Sequence, residues 1–266
     1  MASLTGQTLR DADRLTIARL QAMDVRGTDD AVVVYNPRLP VRGAVPVVWL
    51  LDQGQAVQQA ATLTPVVSQP LRFLAHHGLP VIVADYGGVS TWGRDDTVEV
   101  SGAIDDTLDS FNTSLGIRNN RVIVAGEGMG AINAANWAWR NEVRLGGLWM
   151  VNPIPLMDEF YGDNPSMQAS IDAAYGTHPT FLAALPTHDL HPNRARLVAV
   201  KYKTRVDYSL DQTRTRTSSI EAFIAGAIPD TVRRWPGNYT GILSTIRGHD
   251  IAEWARQTVL VSSRPG

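Results

Sequence analysis

Cysteine is absent from the 266 residues of this chain. That absence excludes a disulfide framework, a thiolate nucleophile and a cysteine-ligated zinc site, because each of them needs the thiol sulfur. Uninterrupted apolar runs are also short, and none approaches the roughly 20 residues that a membrane-spanning helix needs. The first residues, Met1–Leu4, lack the basic segment and apolar stretch of a secretory signal. We therefore expect a soluble protein without a signal peptide.

An excess of positive charge is absent as well, since 24 Lys and Arg residues stand against 26 Asp and Glu, for a formal net charge of −2. Nucleic acid and anionic membranes attract proteins through a basic field, so neither is an expected partner. The composition, 44% hydrophobic and 19% charged, is ordinary for a globular protein. A chain of this length suits one α/β domain of the larger kind and can fold without a metal or a disulfide. We expect neither a metal nor a cofactor.

Short apolar or β-branched runs, each bounded by Gly, Pro, Asn or Asp, alternate with helical stretches along most of the chain. From the second run onward they are almost continuously apolar, which is typical of strands buried on both faces. This alternation predicts an α/β fold with a mostly parallel central sheet and helices on both of its faces. The predicted strands are Ala31–Tyr35, Val45–Leu51, Val81–Asp85, Val122–Ala125, Leu145–Val151 and Leu197–Lys201, and the predicted helices are about 57–77, 98–115, 130–142 and 251–261.

Two segments fall outside this alternation. The first 25 residues are typical of a helix. Its apolar residues, among them Leu9 and Leu20, give it more apolar surface than a free N-terminal arm should expose to solvent. Residues 153–194 are rich in Pro, Asp, Asn and His, and they predict a partly helical cap insertion over the carboxyl edge of the sheet. The predicted organisation is thus a helical extension over 1–30 and a domain over 31–266 that contains the cap.

The most informative segment is Arg121–Ala131, which is typical of a strand, a sharp glycine-rich turn and a helix. It resembles the nucleophile elbow of the α/β-hydrolase superfamily, which has the pattern Gly-x-Ser-x-Gly at such a junction. Aligning the glycines places Gly126 and Gly130 at the outer positions and Gly128 where the serine belongs. A register with Glu127 as nucleophile fits worse, because Met129 would then occupy a position that needs a small residue.

The resemblance, which covers about residues 31–262, also implies an acid and a histidine that follow the nucleophile in that order. It places the acid at Asp207 and the histidine at His249, in a turn before the C-terminal helix. It implies an oxyanion hole built from the backbone N–H of Met129 and that of Gln55. The structural alternatives are a capping or turn residue for Asp207 and a surface residue for His249.

The same glycines allow a second interpretation. Gly126-x-Gly128-x-x-Ala131 between a strand and a helix also fits a dinucleotide-binding turn. That pattern expects a carboxylate at the end of the next strand, where this sequence has Asn152. Histidines at His188 and His191 could suggest a metal cluster, but the neighbouring prolines favour a polar surface loop.

A hydrolase without its serine keeps only about 10³-fold catalysis over water, from its oxyanion hole and binding contacts. The sequence therefore predicts a pseudoenzyme, a binding or structural module with a protein partner or a second copy of itself, and with a small ester-like or acyl ligand. Such a module would suit a larger assembly such as a phage virion or tail, so we expect it in the cytoplasm or in a virion. The alternatives are a serine-independent enzyme in which His249, held by Asp207, is a general base, and a hydrolase whose serine was replaced.

Overall fold

The computed structural model of the chain describes residues 24–27, 31–40, 42–50, 74–84, 97–117, 121–141, 144–176, 178–198, 202–211, 214–236 and 245–262. The described residues form one sheet of eight strands, in the order β1-β2-β4-β3-β5-β6-β7-β8. The strands are β1 (Asp24–Gly27), β2 (Ala31–Tyr35), β3 (Val47–Leu50), β4 (Val81–Ala84), β5 (Val122–Glu127), β6 (Leu145–Val151), β7 (Lys203–Ser209) and β8 (Thr231–Trp235).

The sheet is mostly parallel, as the sequence predicted. β1 pairs antiparallel with β2 and β2 antiparallel with β4, whereas all the other neighbouring strands run parallel. Dinucleotide-binding folds have the order 3-2-1-4-5-6, so the observed order removes the dinucleotide-binding alternative.

The described ranges also contain eight helices of seven or more residues, and residues 74–76 form a further helical turn. The helices are α1 (Thr97–Leu115), α2 (Met129–Arg140), α3 (Met157–Asp163), α4 (Pro165–Tyr175), α5 (His178–His188), α6 (Leu190–Val198), α7 (Thr217–Ala227) and α8 (Thr245–Ser262). None of the helices that the structure describes is apolar over enough of its length to cross a bilayer.

The helices pack on both faces of the sheet, which confirms the predicted layering. On one face, alternate strand residues such as Val124 and Met150 pack with α1 and α2 in the larger core cluster. On the other face, Trp49 and Trp149 pack with Trp254 of α8 in a second cluster. The central strands are apolar on both sides because both sides are covered.

The prediction of a strand at Leu197–Lys201 is wrong at Leu197 and Val198, which belong to a helix, and residues 199–201 lie outside the described residues. Leu197 and Val198 are the last two residues of α6, in which Leu190, Asn193 and Leu197 are buried at helical spacing, while Val198 is 53% exposed. The strand that follows begins at Lys203. A short apolar run cannot by its period alone be assigned to a strand or to one buried stripe of a helix.

Both edge strands of the sheet also differ from the predictions. β1 belongs to the sheet, so the domain begins before residue 31, and residues 24–27 are a strand instead of part of a helix. Residues 1–23, which hold the rest of the predicted N-terminal helix, lie outside the described residues. β8, at the opposite edge, was missed because Arg233 and Arg234 interrupt its apolar pattern.

Four helices, α3 to α6, occupy the connection between β6 and β7 where the sequence predicted a partly helical cap. The helical segment extends to Val198, four residues beyond the predicted end. The prediction of a polar surface loop around His188–His191 is wrong, because α5 and α6 meet there and Asp189 and Leu190 are buried.

Candidate active site

Gly128 lies between the last residue of β5 and the first residue of α2, at the carboxyl edge of the sheet. Its backbone angles are φ +54° and ψ −114°. A positive φ combined with this strongly negative ψ lies outside even the left-handed helical region, so an L-residue with a side chain would be strained there. The Gly128 N–H donates to the carbonyl oxygen of Val151 (3.0 Å), which ties the turn to β6.

Gly126, the first of the flanking glycines, is required by a close approach of two backbones. A Cβ atom at Gly126 would lie 2.1 Å from the carbonyl oxygen of Gly130 and 2.2 Å from its carbonyl carbon. No side chain fits in that space, so the strand can turn into the helix only with glycine at 126. The close approach joins residues 126 and 130, and the tight turn is therefore centred on residue 128 and not on Glu127.

Met129 is the first residue of α2 and is buried. The N-terminus of a helix carries a partial positive charge, which favours anionic or carbonyl oxygen atoms near it. Gln55, the other predicted contributor to an oxyanion hole, lies outside the described residues. The oxyanion hole therefore stays a prediction.

Asp207 lies inside β7, at the same level of the sheet as Val151 and Glu127, so it is not the capping or turn residue of the structural alternative. Its side chain is completely buried. Its two carboxylate oxygens accept four N–H groups, from Arg205 Nε (2.5 Å) and Nη2 (2.9 Å) and from the indoles of Trp149 (2.8 Å) and Trp235 (2.7 Å). A carboxylate has about four acceptor positions, and these donors use them all.

Arg205 continues this network to α8. It is completely buried and donates to the carboxylate of Asp250 (2.6 Å) and to its backbone carbonyl (3.3 Å). Burial alone would lower the pKa of Arg205, but the hydrogen bonds and charges of Asp207 and Asp250 outweigh burial and raise it. Arg233 of β8 also donates to Asp250 (3.2 Å). The network thus fixes the second turn of α8 against β7 and β8.

His249 is the residue before Asp250. The sequence predicted a turn at this point with a helix after it, but α8 already begins at Thr245, so His249 is part of the helix. The position of its side chain lies outside what the structure describes. The predicted contact between Asp207 and His249 therefore stays a prediction, although Asp207 already has four other donors.

Sequence reasoning missed Asp211. β7 ends at Ser209, and the exposed Asp211 is the first carboxylate beyond the end of that strand. Because β5, β6 and β7 are parallel, their carboxyl ends meet at one edge of the sheet, which places Asp211 at the same edge as Gly128. A strand that ends at Ser209 would have indicated Asp211 from the sequence, but the predicted strand ended at Lys201.

Asn152, the residue after β6, lies at the same edge of the sheet. It has a positive φ of +40° and is 2% exposed. Within the described ranges, no group of three or more His, Asp or Glu side chains is arranged to hold a metal ion.

No family model matches the sequence, and no curated protein has a significantly similar sequence. Solved structures do match. A fungal esterase from Rhizomucor miehei superposes with a TM-score of 0.65 at 12% identity, over 99% of this chain and 93% of that chain. Esterase B from Lactobacillus rhamnosis gives a TM-score of 0.66 at 12% identity, over 96% and 93%. An S-formylglutathione hydrolase from Agrobacterium tumefaciens gives 0.59 at 14% identity, over 89% and 94%.

These similarities cover nearly the whole of each chain. Because the sequence identities are low, they show a shared fold and nothing more. They agree with the strand order and with the sharp turn between β5 and α2. The chain has the α/β-hydrolase fold, which it shares with esterases.

Proposed function

We propose that this chain is a catalytically inactive module of the α/β-hydrolase fold that binds a ligand or a partner protein. The observation that carries the proposal is the residue at the tight turn. Gly128 has the backbone angles of a strained turn between strand and helix, but no side chain that could attack a carbonyl carbon. A serine hydrolase needs a hydroxyl at that position, next to a base.

The elements next to Gly128 also support an origin in an active enzyme. The start of α2 follows Gly128 directly, and α8 carries His249 on the other face of the sheet. Because four donors occupy Asp207, we assign it the role of holding α8, and we propose Asp211 as the carboxylate that faces His249.

The proposal predicts that the protein as it exists does not hydrolyse esters. Short-chain nitrophenyl esters should be cleaved no faster by the unmodified chain than by a His249→Ala variant. The measurement is the release of nitrophenol at several substrate concentrations. A turnover near 1 s⁻¹ or above, which is within the usual range of enzymes, would contradict the proposal, because it would require another nucleophile.

A second function is favoured by the place of Asp211 at the end of β7. A carboxylate there could orient His249 as a general base, and proton abstraction needs no nucleophile. This alternative predicts that the unmodified chain exchanges an activated C–H proton of a carbon acid with deuterium from the solvent. His249→Ala should abolish that exchange, and equal exchange by the two proteins would exclude the alternative.

A further inference from the structure

Asn152 lies beside the tight turn at the carboxyl edge of the sheet. Its own N–H donates to the carbonyl oxygen of Asp207 (2.8 Å), which fixes its backbone to β7. The preceding carbonyl, that of Val151, accepts the N–H of Gly128 (3.0 Å). Asn152 is therefore held between the turn and the end of β7 by main-chain hydrogen bonds on both sides.

The side chain of Asn152 is held at one end only. Its Oδ1 accepts the N–H of Ser209 (2.9 Å). Its Nδ2 is buried, and among the described residues it has no hydrogen-bond partner. A buried donor without a partner costs about 1–3 kcal/mol, and native proteins contain few of them.

The backbone of Asn152 adds a second unfavourable feature at the same residue. A φ of +40° lies in the left-handed region that non-glycine residues rarely adopt, although asparagine tolerates it better than most. The hydrogen bond from Ser209 does not explain the amide, because an aspartate would also supply an acceptor oxygen. Strain and an unused donor at one residue are typical of a functional position.

We propose that the side-chain amide of Asn152 donates a hydrogen bond to an oxygen atom of a small acyl ligand, bound at the carboxyl edge beside Gly128. In open α/β sheets, ligands bind outside the carboxyl ends of the strands. An amide nitrogen can only donate, so its partner must be an acceptor, and the nearby N-terminus of α2 favours an oxygen with negative charge or a carbonyl dipole. The inference rests on the proposed function as a binding module, and it names the class of ligand.

A carboxylate and an ester carbonyl both offer such an oxygen, so butyrate and ethyl butyrate are the two probes. Each is titrated into the full-length, ¹⁵N-labelled chain, and the side-chain amide signals are followed by NMR. We expect the Asn152 amide signals to shift along a saturating curve with at least one probe. The amide of Asn193, whose Nδ2 already donates to the carbonyls of Pro186 (3.0 Å) and Asp189 (2.8 Å), should not shift.

The variant Asn152→Gly removes the amide without adding charge, and glycine adopts a positive φ without strain. We expect it to bind the effective probe about tenfold more weakly, the loss typical of one hydrogen bond. Equal affinity of the variant, or the absence of any Asn152 shift in the unmodified chain, would overturn the inference. Should the variant fail to fold, the titration of the unmodified chain still decides. Hydrolysis of ethyl butyrate would instead contradict the proposed function, so the two failures are distinguishable.

Discussion

At the scale of single residues, Asp207 and Asp211 lie four positions apart and in opposite surroundings. Asp207 is completely buried and accepts four N–H groups, whereas Asp211 is exposed beyond the end of β7. Breaking a buried ion pair by removing one partner is costly, because the other charge stays buried without compensation. An exposed carboxylate contributes little to stability, so we expect the same substitution to have a large effect at Asp207 and a small one at Asp211.

Asp207→Asn should lower the free energy of unfolding by about 3–5 kcal/mol, because the buried Arg205 then loses its fully buried counter-charge and keeps the partly exposed Asp250. Asp211→Asn should leave stability within about 0.5 kcal/mol of the unmodified chain. Urea unfolding followed by circular dichroism measures both. If Asp207→Asn were as stable as Asp211→Asn, Asp207 would not have the structural role that we assign to it.

The partners of Asp207 also mark the limit of what could be predicted from the sequence. Trp149, Trp235 and Asp250 lie on three other elements, up to 58 positions away from Asp207 or Arg205 along the chain. No local pattern connects them, and the resemblance to hydrolases placed a catalytic acid at Asp207 instead. The turn at Gly128 could be predicted because its requirement for small residues is local, within five consecutive positions.

At the scale of elements, the accuracy of the predictions followed the length and the burial of each segment. β2 and β6 have the predicted bounds, and α1 begins one residue before its predicted start. These segments have a long or continuous apolar pattern that is consistent with one structure only. The error at 197–201 arose because four consecutive apolar residues, 197–200, have the pattern of a buried strand although the first two of them belong to α6.

The junction of α5 and α6 contains a buried carboxyl group, that of Asp189. Its oxygens accept the N–H of Met157 (3.2 and 3.3 Å), at the start of α3. Burial raises the pKa of Asp189 to about 7, although the hydrogen bond from Met157 acts in the opposite direction and Asp158 raises it further. A group with a raised pKa in the folded state contributes stability that is present at low pH and is lost as the pH rises through 7.

Asp189→Asn should remove this dependence, because the amide resembles the protonated acid at every pH. The unmodified chain should lose roughly 3–5 kcal/mol of stability relative to the variant between pH 4 and pH 8. Urea unfolding of both proteins across that range measures the difference, in which the titrations common to both cancel. A difference that does not change with pH would show that Asp189 is not buried as the structure has it.

At the scale of the whole molecule, the α/β class, the parallel sheet and the helical connection before β7 could be predicted, because strand and helix alternate along the chain. The edge strands could not. β1 is four residues long, and β8 contains two arginines, so neither has the apolar pattern that identified the central strands. The sheet begins at Asp24, so only residues 1–23 remain as the segment from which a protein partner was predicted. That partner stays a prediction.

Removal of residues 1–23 leaves β1 intact and tests the predicted role of the N-terminal segment. The leucines of this segment give it more apolar surface than a free arm should expose to solvent. Removing the segment should therefore alter the oligomeric state or the solubility of the protein. Size-exclusion chromatography with light scattering compares the two chains at equal concentration. A truncated protein that stays as soluble as the full chain, with the same mass per particle, would argue against a role in assembly.

The most direct test of the central claim compares Gly128→Ser with Gly128→Ala. Both substitutions place a Cβ atom in the same strained turn, so each should destabilise the domain by about 1–3 kcal/mol. Only serine supplies a hydroxyl, and it should therefore hydrolyse short-chain nitrophenyl esters faster than the alanine variant and the unmodified chain. Activity confined to Gly128→Ser is the result that we predict. A serine variant no more active than the alanine variant, or two variants as stable as the unmodified chain, would contradict the assignment of Gly128 to the nucleophile position.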